Sequence, residues 1–219
     1  MAQAVAEAHS STGKIKPLAD HVINQIAAGE VVDRPVSVVR ELVDNAIDSG
    51  ADDVTITVEE GGRQRIRVSD NGCGMSADDA VMAFERHATS KIKVASDLNS
   101  ISTFGFRGEA LAAIASISKI RLRTRESAAQ IVTELELAAG KIINVTPCSG
   151  SAGTEIEVAQ LFYNTPARRA FLKLPPTELA RIKTWVLHSS LANPTVRYRV
   201  VSEGNEIINL PKVSSLIER

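Results

Sequence analysis

The sequence predicts an α+β layer sandwich, with helices on one face of a mixed sheet. Three observations carry this. Apolar residues recur at helical spacing near the N-terminus, where Val38, Val39, Leu42, Val43, Ala46 and Ile47 fall on one stripe. From residue 53 the pattern changes to alternating runs joined by glycine turns, the mark of antiparallel hairpins. With 44% apolar residues in 219, the chain can bury a substantial core without disulfides or a structural metal.

Residues 1–14, rich in Ala and Ser, read as a mobile arm that lacks the apolar segment of a signal peptide, and 15–219 as the folded domain. A short helix is expected from a cap at Asp20 to a stop at Gly29, with Val22, Ile23 and Ile26 inward. The striped helix follows: Asp33 is placed to cap it, Pro35 suits its first turn, and Gly50 its end. Residues 53–59 alternate as a strand, Gly61 and Gly62 turn, and 64–69 alternate back as its antiparallel partner. A helix over 76–84 takes Ser76 as its cap. Between Ala88 and Gly105 no period holds, and so long a stretch reads as a functional loop. A helix over 109–116 comes next, then strands at 119–125, 131–137, 142–146 and 154–158. The polar turn Asn164-Thr165-Pro166 introduces a short basic helix, and a longer one spans 177–191 with Leu179, Ile182 and Val186 inward. Residues 196–202 and 206–210 close the chain as a hairpin around Gly204.

A formal charge of −1 offers no overall attraction to nucleic acid or membranes, and no apolar run approaches a membrane-spanning length. Cys73 and Cys148 are too few for a zinc site or a disulfide framework and suit a reducing cytoplasm; Cys73 and His87 read as packed residues.

The chemistry-bearing residues lie in separate segments. Glu41 and Asn45 stand four apart, one above the other on a helix face, beside the buried stripe. A carboxylate and a carboxamide there are costly unless they bind something. We read Glu41 as orienting a water and Asn45 as holding a metal ion, on opposite sides of a nucleotide phosphate. For such a pair taken alone, a solvated helix face is the alternative.

Asp70-Asn71-Gly72-Cys73-Gly74-Met75-Ser76-Ala77 ends a strand and opens a helix. It loosely matches G-x-G-x-x-A, but the dinucleotide fingerprint belongs to a parallel strand–helix–strand unit, whereas this strand is the second arm of a hairpin. Asp70, an obligate acceptor when ionised, suits the exocyclic amine of adenine and repels the carbonyl of guanine. Gly72 and Gly74 would let main chain approach a base and sugar, although a plain Asp-Asn-Gly turn fits the same letters. No G-x-x-x-x-G-K-[ST] sequence occurs, which excludes a P-loop. Gly105, Phe106, Arg107, Gly108, Glu109, Ala110 and Leu111 form a loop-to-helix junction able to offer N–H groups to a polyphosphate. Arg121, Arg123 and Arg125 alternate along one strand, and Arg168, Arg169 and Lys173 make a second cluster. Either set can contact DNA phosphates, while solvated surface charge is the commoner role.

Together these segments resemble the GHKL ATPase family, and most closely its mismatch-repair branch. The carrying residues include Asn24 through Val32, Arg34-Pro35, Glu41 through Asn45, Asp70 through Gly74, Arg86 through Lys91, Gly105 through Leu111, and Phe162 through Arg169. The last block disfavours the alternative of a gyrase-type, type II topoisomerase ATPase. The resemblance implies a Bergerat-type two-layer sandwich binding ATP and Mg²⁺. It implies Glu41 as general base and Asn45 as the Mg²⁺ ligand. Adenine falls to Asp70, Gly72, Gly74 and Met75, with Gly153 and Thr154 closing the pocket, and the phosphates to Thr89 and Gly105 through Leu111. It further implies a cytoplasmic protein that forms a homodimer on ATP binding, touches DNA weakly, and links a MutS-type recognition protein to a downstream nuclease or helicase. The family's second domain, which supplies a lysine to the γ-phosphate, begins about where this chain stops. Slow turnover is therefore expected, with a nucleotide-dependent interaction module of negligible turnover as the alternative.

Overall fold

A computed structural model describes residues 20–86, 88–89 and 108–219. The expected arm, His87, the side chain of Val22 and most of the expected loop between Ala88 and Gly105 lie outside the described residues.

Helix α1 (Asp20–Val31) runs past its expected stop at Gly29, and Ile23 and Ile26 are exposed rather than inward. The helix packs instead through Ala28, fully buried, with Val31 beside it, against a later helix, α4 (Ala110–Ser116). Small alanines permit that close approach and turn the bulkier isoleucines out.

Helix α2 (Pro35–Asp48) buries Val38, Val39, Leu42, Val43 and Ala46, the expected stripe, with Pro35 at its first position and Gly50 just past its end. Its N-cap is Arg34, not Asp33. Because the helix starts at Pro35, Asp33 stands one residue too early to reach the free N–H groups. Its carboxylate accepts instead from the Ser37 hydroxyl at 2.6 Å and from Arg34 Nε at 2.7 Å.

Strand β1 (Asp53–Glu59) turns through a short 3₁₀ segment, Glu60–Gly62, into β2 (Arg65–Asp70), its antiparallel partner. Helix α3 (Ala77–Met82) is capped by Ser76, whose hydroxyl accepts from Asp79 N–H at 3.1 Å. After α4 come β3 (Lys119–Arg125), β4 (Val132–Ala138), β5 (Lys141–Cys148) and β6 (Gly153–Ala159). Helices α5 (Pro166–Phe171) and α6 (Pro175–Ala192) precede the closing hairpin of β7 (Arg197–Ser202) and β8 (Asn205–Leu210).

The eight strands among the described residues form one sheet, ordered β5-β4-β3-β6-β2-β1-β7-β8. The β1–β7 pair is parallel and the other pairs are antiparallel, so the sheet is mixed as expected. One face carries the core: Val54, Ile56, Ile66, Val68, Ile120, Leu122, Leu135, Ile156, Val158, Tyr198 and Val200 are buried beneath the helices. The opposite parity is polar and laddered by charge. Arg121 donates to Glu157 at 3.1 Å, Arg123 pairs with Glu134 at 3.3 Å, and Arg65 pairs with Glu59 at 2.7 Å. Alternating sign across strands lets the face meet water without like-charge repulsion. No helix among the described residues is long and apolar enough to cross a membrane.

Candidate active site

Along the helix-covered face, the inward residues of β2 are Ile66, Val68 and then Asp70; those of β6, read from its far end, are Val158, Ile156 and then Thr154. On β3 they are Ile120, Leu122 and then Thr124. Register sets Asp70 opposite Thr154 and Thr154 opposite Thr124, so at one end of the sheet the apolar rows give way to a polar one. The hydroxyls of Thr124 and Thr154 are 3.0 Å apart.

Asp70 is half-buried, and its Oδ1 accepts from Gly72 N–H at 2.9 Å. Burial pushes its carboxyl above the ordinary value, against the N–H groups of Gly72 and Thr154, which favour the charged form. The turn that follows is pinned on three sides. Asn71 Oδ1 accepts from the N–H groups of Asp52 and Asp53, each at 3.0 Å. Cys73 N–H donates to Ser49 O at 3.0 Å, and Met75 N–H to Thr124 Oγ1 at 3.0 Å.

A Cβ on Gly72 would stand 1.8 Å from Ser49 Oγ, and one on Gly74, where φ is +70°, 2.1 Å from Arg125 O. Only glycine allows this close wedging between the end of α2 and the end of β3. Cys73, on the outer limb of the turn, is exposed, which corrects the expectation that it is packed.

Ser49 connects the turn to the other half of the site. It follows Asn45 by four residues, and Asn45 follows Glu41 by four, so the line of Glu41 and Asn45 along α2 ends at the residue that the Gly72 turn touches. Glu41 is 24% exposed and lies 3.5 Å from Arg40 Nε. Both Glu41 and Asn45 are half-buried, at the border of the stripe.

Of the expected phosphate residues, Thr89 is half-buried, and Gly108 rests on the neighbouring main chain: a Cβ there would lie 2.4 Å from Ala88 O. Glu109 is the N-cap residue of α4, Ala110 begins it, and Leu111 packs against the core. Gly105, Phe106 and Arg107 lie outside the described residues. A separate cavity of about 190 Å³ opens between α1 and α4; Glu109 lines it, but Asp70, Asn45 and Thr154 do not. Among the described residues no group of three or more His, Cys, Asp and Glu could hold a metal ion unaided.

The basic clusters are largely engaged. Arg121 and Arg123 belong to the charge ladder, Arg125 donates to Ala129 O, and Arg168 donates to Ile26 O at 3.3 Å. Arg169 and Lys173 remain exposed.

Residues 34–158 match a family model described as histidine kinase-, DNA gyrase B-, and HSP90-like ATPase. The ATPase domain of Aquifex aeolicus MutL complexed with ADP shares the fold at a TM-score of 0.69 and 34% identity, over 86% of this chain and 67% of that one. The chain belongs to this ATPase family, in its MutL branch. The DNA mismatch repair protein MutL of Acidobacterium capsulatum is 51% identical over 94% of the chain. The crystal structure of an N-terminal domain of a DNA repair protein matches at a TM-score of 0.75 and 29% identity, over 89% of this chain and 58% of that one. This MutL-type domain spans 31% of the length of the Acidobacterium relative. The family and fold expected from the motifs are thus met.

Two residues of the site escaped the sequence reading. Ser49 follows Asn45 by four residues, a spacing that could have marked it. Thr124 was hidden among arginines, although its parity with Ile120 and Leu122 places a hydroxyl on the buried side, a signal that could have exposed it.

Proposed function

We propose that the chain is the ATP-binding and ATP-hydrolysing N-terminal module of a mismatch-repair protein, an ATP-gated dimerising clamp that couples mismatch recognition to downstream repair. In this reading a MutS-type recognition protein acts before it and a repair nuclease or helicase after it, in the cytoplasm. Contact with DNA is weak and without sequence preference, and two copies pair when ATP binds.

One observation carries the reading. The turn after Asp70 is wedged between the polar row of the sheet and Ser49, the residue that ends the Glu41–Asn45 line. This contact supports reading an adenine-type acceptor and a phosphate-type pair as parts of one site. Asp70 takes the exocyclic amine, with Gly72, Gly74, Met75 and Thr154 beside the base. Thr89 and the residues Gly105 through Leu111 take the phosphates.

Phosphoryl transfer leaves a protein mainly with positioning and charge stabilisation. Glu41 orients the attacking water and accepts its proton late, since a free glutamate is a weak base. Asn45, a neutral oxygen donor, holds Mg²⁺, which when bound with the nucleotide supplies positive charge to the phosphate oxygens.

Glu41→Ala tests the catalytic assignment. Nucleotide binding should persist while phosphate release falls by at least about a hundredfold, the usual worth of a positioned acid–base group. Undiminished turnover would remove Glu41 from that role.

A further inference from the structure

Thr124 is 1% exposed, and its hydroxyl has capacity for one donated and two accepted hydrogen bonds. The structure fills all of it. Thr124 Oγ1 lies 3.1 Å from Gly153 O, which can only accept, so the single hydroxyl proton points there. Met75 N–H, 3.0 Å away, can only donate, and it takes one lone pair. The remaining neighbour is Thr154 Oγ1 at 3.0 Å, and with the Thr124 proton already committed, Thr154 must be the donor in that bond. A buried hydroxyl is stable when so fully satisfied.

This ordering has a consequence one residue further along the row. The Thr154 proton is turned inward toward Thr124, leaving its lone pairs as its only capacity on the side away from Thr124. Next to Thr154 across the strands stands Asp70, whose carboxylate is also an acceptor. We infer that Thr124 is a positioning residue for base selection: by holding the Thr154 proton inward it makes Asp70 and Thr154 a pair of acceptors, matched to the two hydrogens of an exocyclic amine. A ring carbonyl, as in guanine, then meets two acceptors rather than one. Thr124 also fixes the main chain at Met75, which holds the Gly74 turn in place. The inference rests on the adenine pocket proposed above.

Thr124→Val keeps the volume and removes the hydroxyl, freeing the Thr154 proton to point outward. Affinities for ATP and GTP would be measured by calorimetry on the 219-residue chain. Thr124→Val should weaken ATP about tenfold with GTP little changed, the worth of one buried hydrogen bond, and so lower the ATP-to-GTP ratio by the same factor. Thr124→Ser should restore the parent ratio. A Thr124→Val protein with the parent ratio overturns the inference, as does a Thr124→Ser protein that loses as much as Thr124→Val.

Thr154→Val removes the presented acceptor without touching the buried hydroxyl, and serves where Thr124→Val does not fold. It too should lower the ratio about tenfold, and an unchanged ratio overturns the inference. The double variant should be no worse than either single one, because both break one chain of bonds. A parent chain that binds ATP no better than GTP sinks the adenine pocket itself. A discriminating parent with unaltered Thr variants sinks only the role given to Thr124.

Discussion

Gly153 lies so close to Asp70 that a Cβ on Gly153 would stand 2.2 Å from the Asp70 carbonyl oxygen. The glycine has φ of +109°, a conformation that side chains rarely adopt, and its carbonyl takes the Thr124 proton. Gly153→Ala therefore carries both a strained backbone and a clash with main chain that has nowhere to move. We expect a loss of about 2–4 kcal/mol in folding stability, measured by urea denaturation. ATP binding should weaken in the fraction that still folds, because Asp70 is displaced. Unaltered stability would mean that β2 and β6 can separate at this end at little cost.

Asp70→Asn separates function from stability. Burial raises the Asp70 pKa in the folded state, so its contribution to stability is full below the unfolded-state pKa and is lost as pH rises through the folded-state value. At neutral pH the buried carboxylate opposes folding. Asp70→Asn, which can still accept from Gly72 N–H, should hold or raise Tm at pH 7. Its ATP affinity should fall by about tenfold to a hundredfold, and its preference over GTP should be blunted. The parent should lose ATP affinity on acidification at a higher pH than an ordinary aspartate would dictate, and the variant should lose that dependence. Equal discrimination in variant and parent would refute the adenine contact.

Asn45→Ala tests the metal assignment. The side chain sits on α2 at the border of its buried stripe, four residues from Glu41 and four from Ser49. Parent affinity for ATP should rise when magnesium is added. The Asn45→Ala protein should bind ATP equally with magnesium or with a chelator, at about the parent's metal-free affinity. A retained magnesium effect would assign the cation to other ligands.

Much of this architecture was legible because its causes are local. The stripe of α2, the Ser76 cap and the period-two runs of β1, β2 and β3 follow from side-chain spacing and capping chemistry within a few residues. What escaped depends on partners distant in sequence. Ile23 and Ile26 look like core residues, and only the approach of α4 onto Ala28 turns them outward. Arg121 and Arg123 read as solvated surface charge more than as phosphate contacts, but the Glu157 and Glu134 that pair with them arrive from neighbouring strands and were not legible. The glycines at 72 and 74 were read for the room they would give a base, whereas the sides a Cβ would occupy are taken by Ser49 and Arg125. The proposed site rests on motif for its residues and on strand register for bringing Asp70, Thr154 and Thr124 into one row.

Glu178 tests a part of the fold remote from this chemistry. Its side chain is 1% exposed, at the start of α6, on the face set by Ile182 and Val186 four and eight residues on, although its charge alone would suggest an outward position. Its Oε1 accepts from Lys173 N–H at 2.9 Å and lies 3.4 Å from Arg181 Nη1, tying the link between α5 and α6 to the helix it precedes. Arg181 is itself 36% exposed, so solvent screens the ion pair, and the bond to Lys173 N–H is the larger contribution. Glu178→Ala removes the carboxylate that accepts from that N–H and leaves a void at a buried position of α6. A loss of about 1–3 kcal/mol is expected, with ATP affinity unchanged. Glu178→Gln keeps an acceptor oxygen and should recover most of the difference in thermal denaturation. If the alanine variant melts with the parent, the link is held by the packing of Leu172 and Ile182 alone.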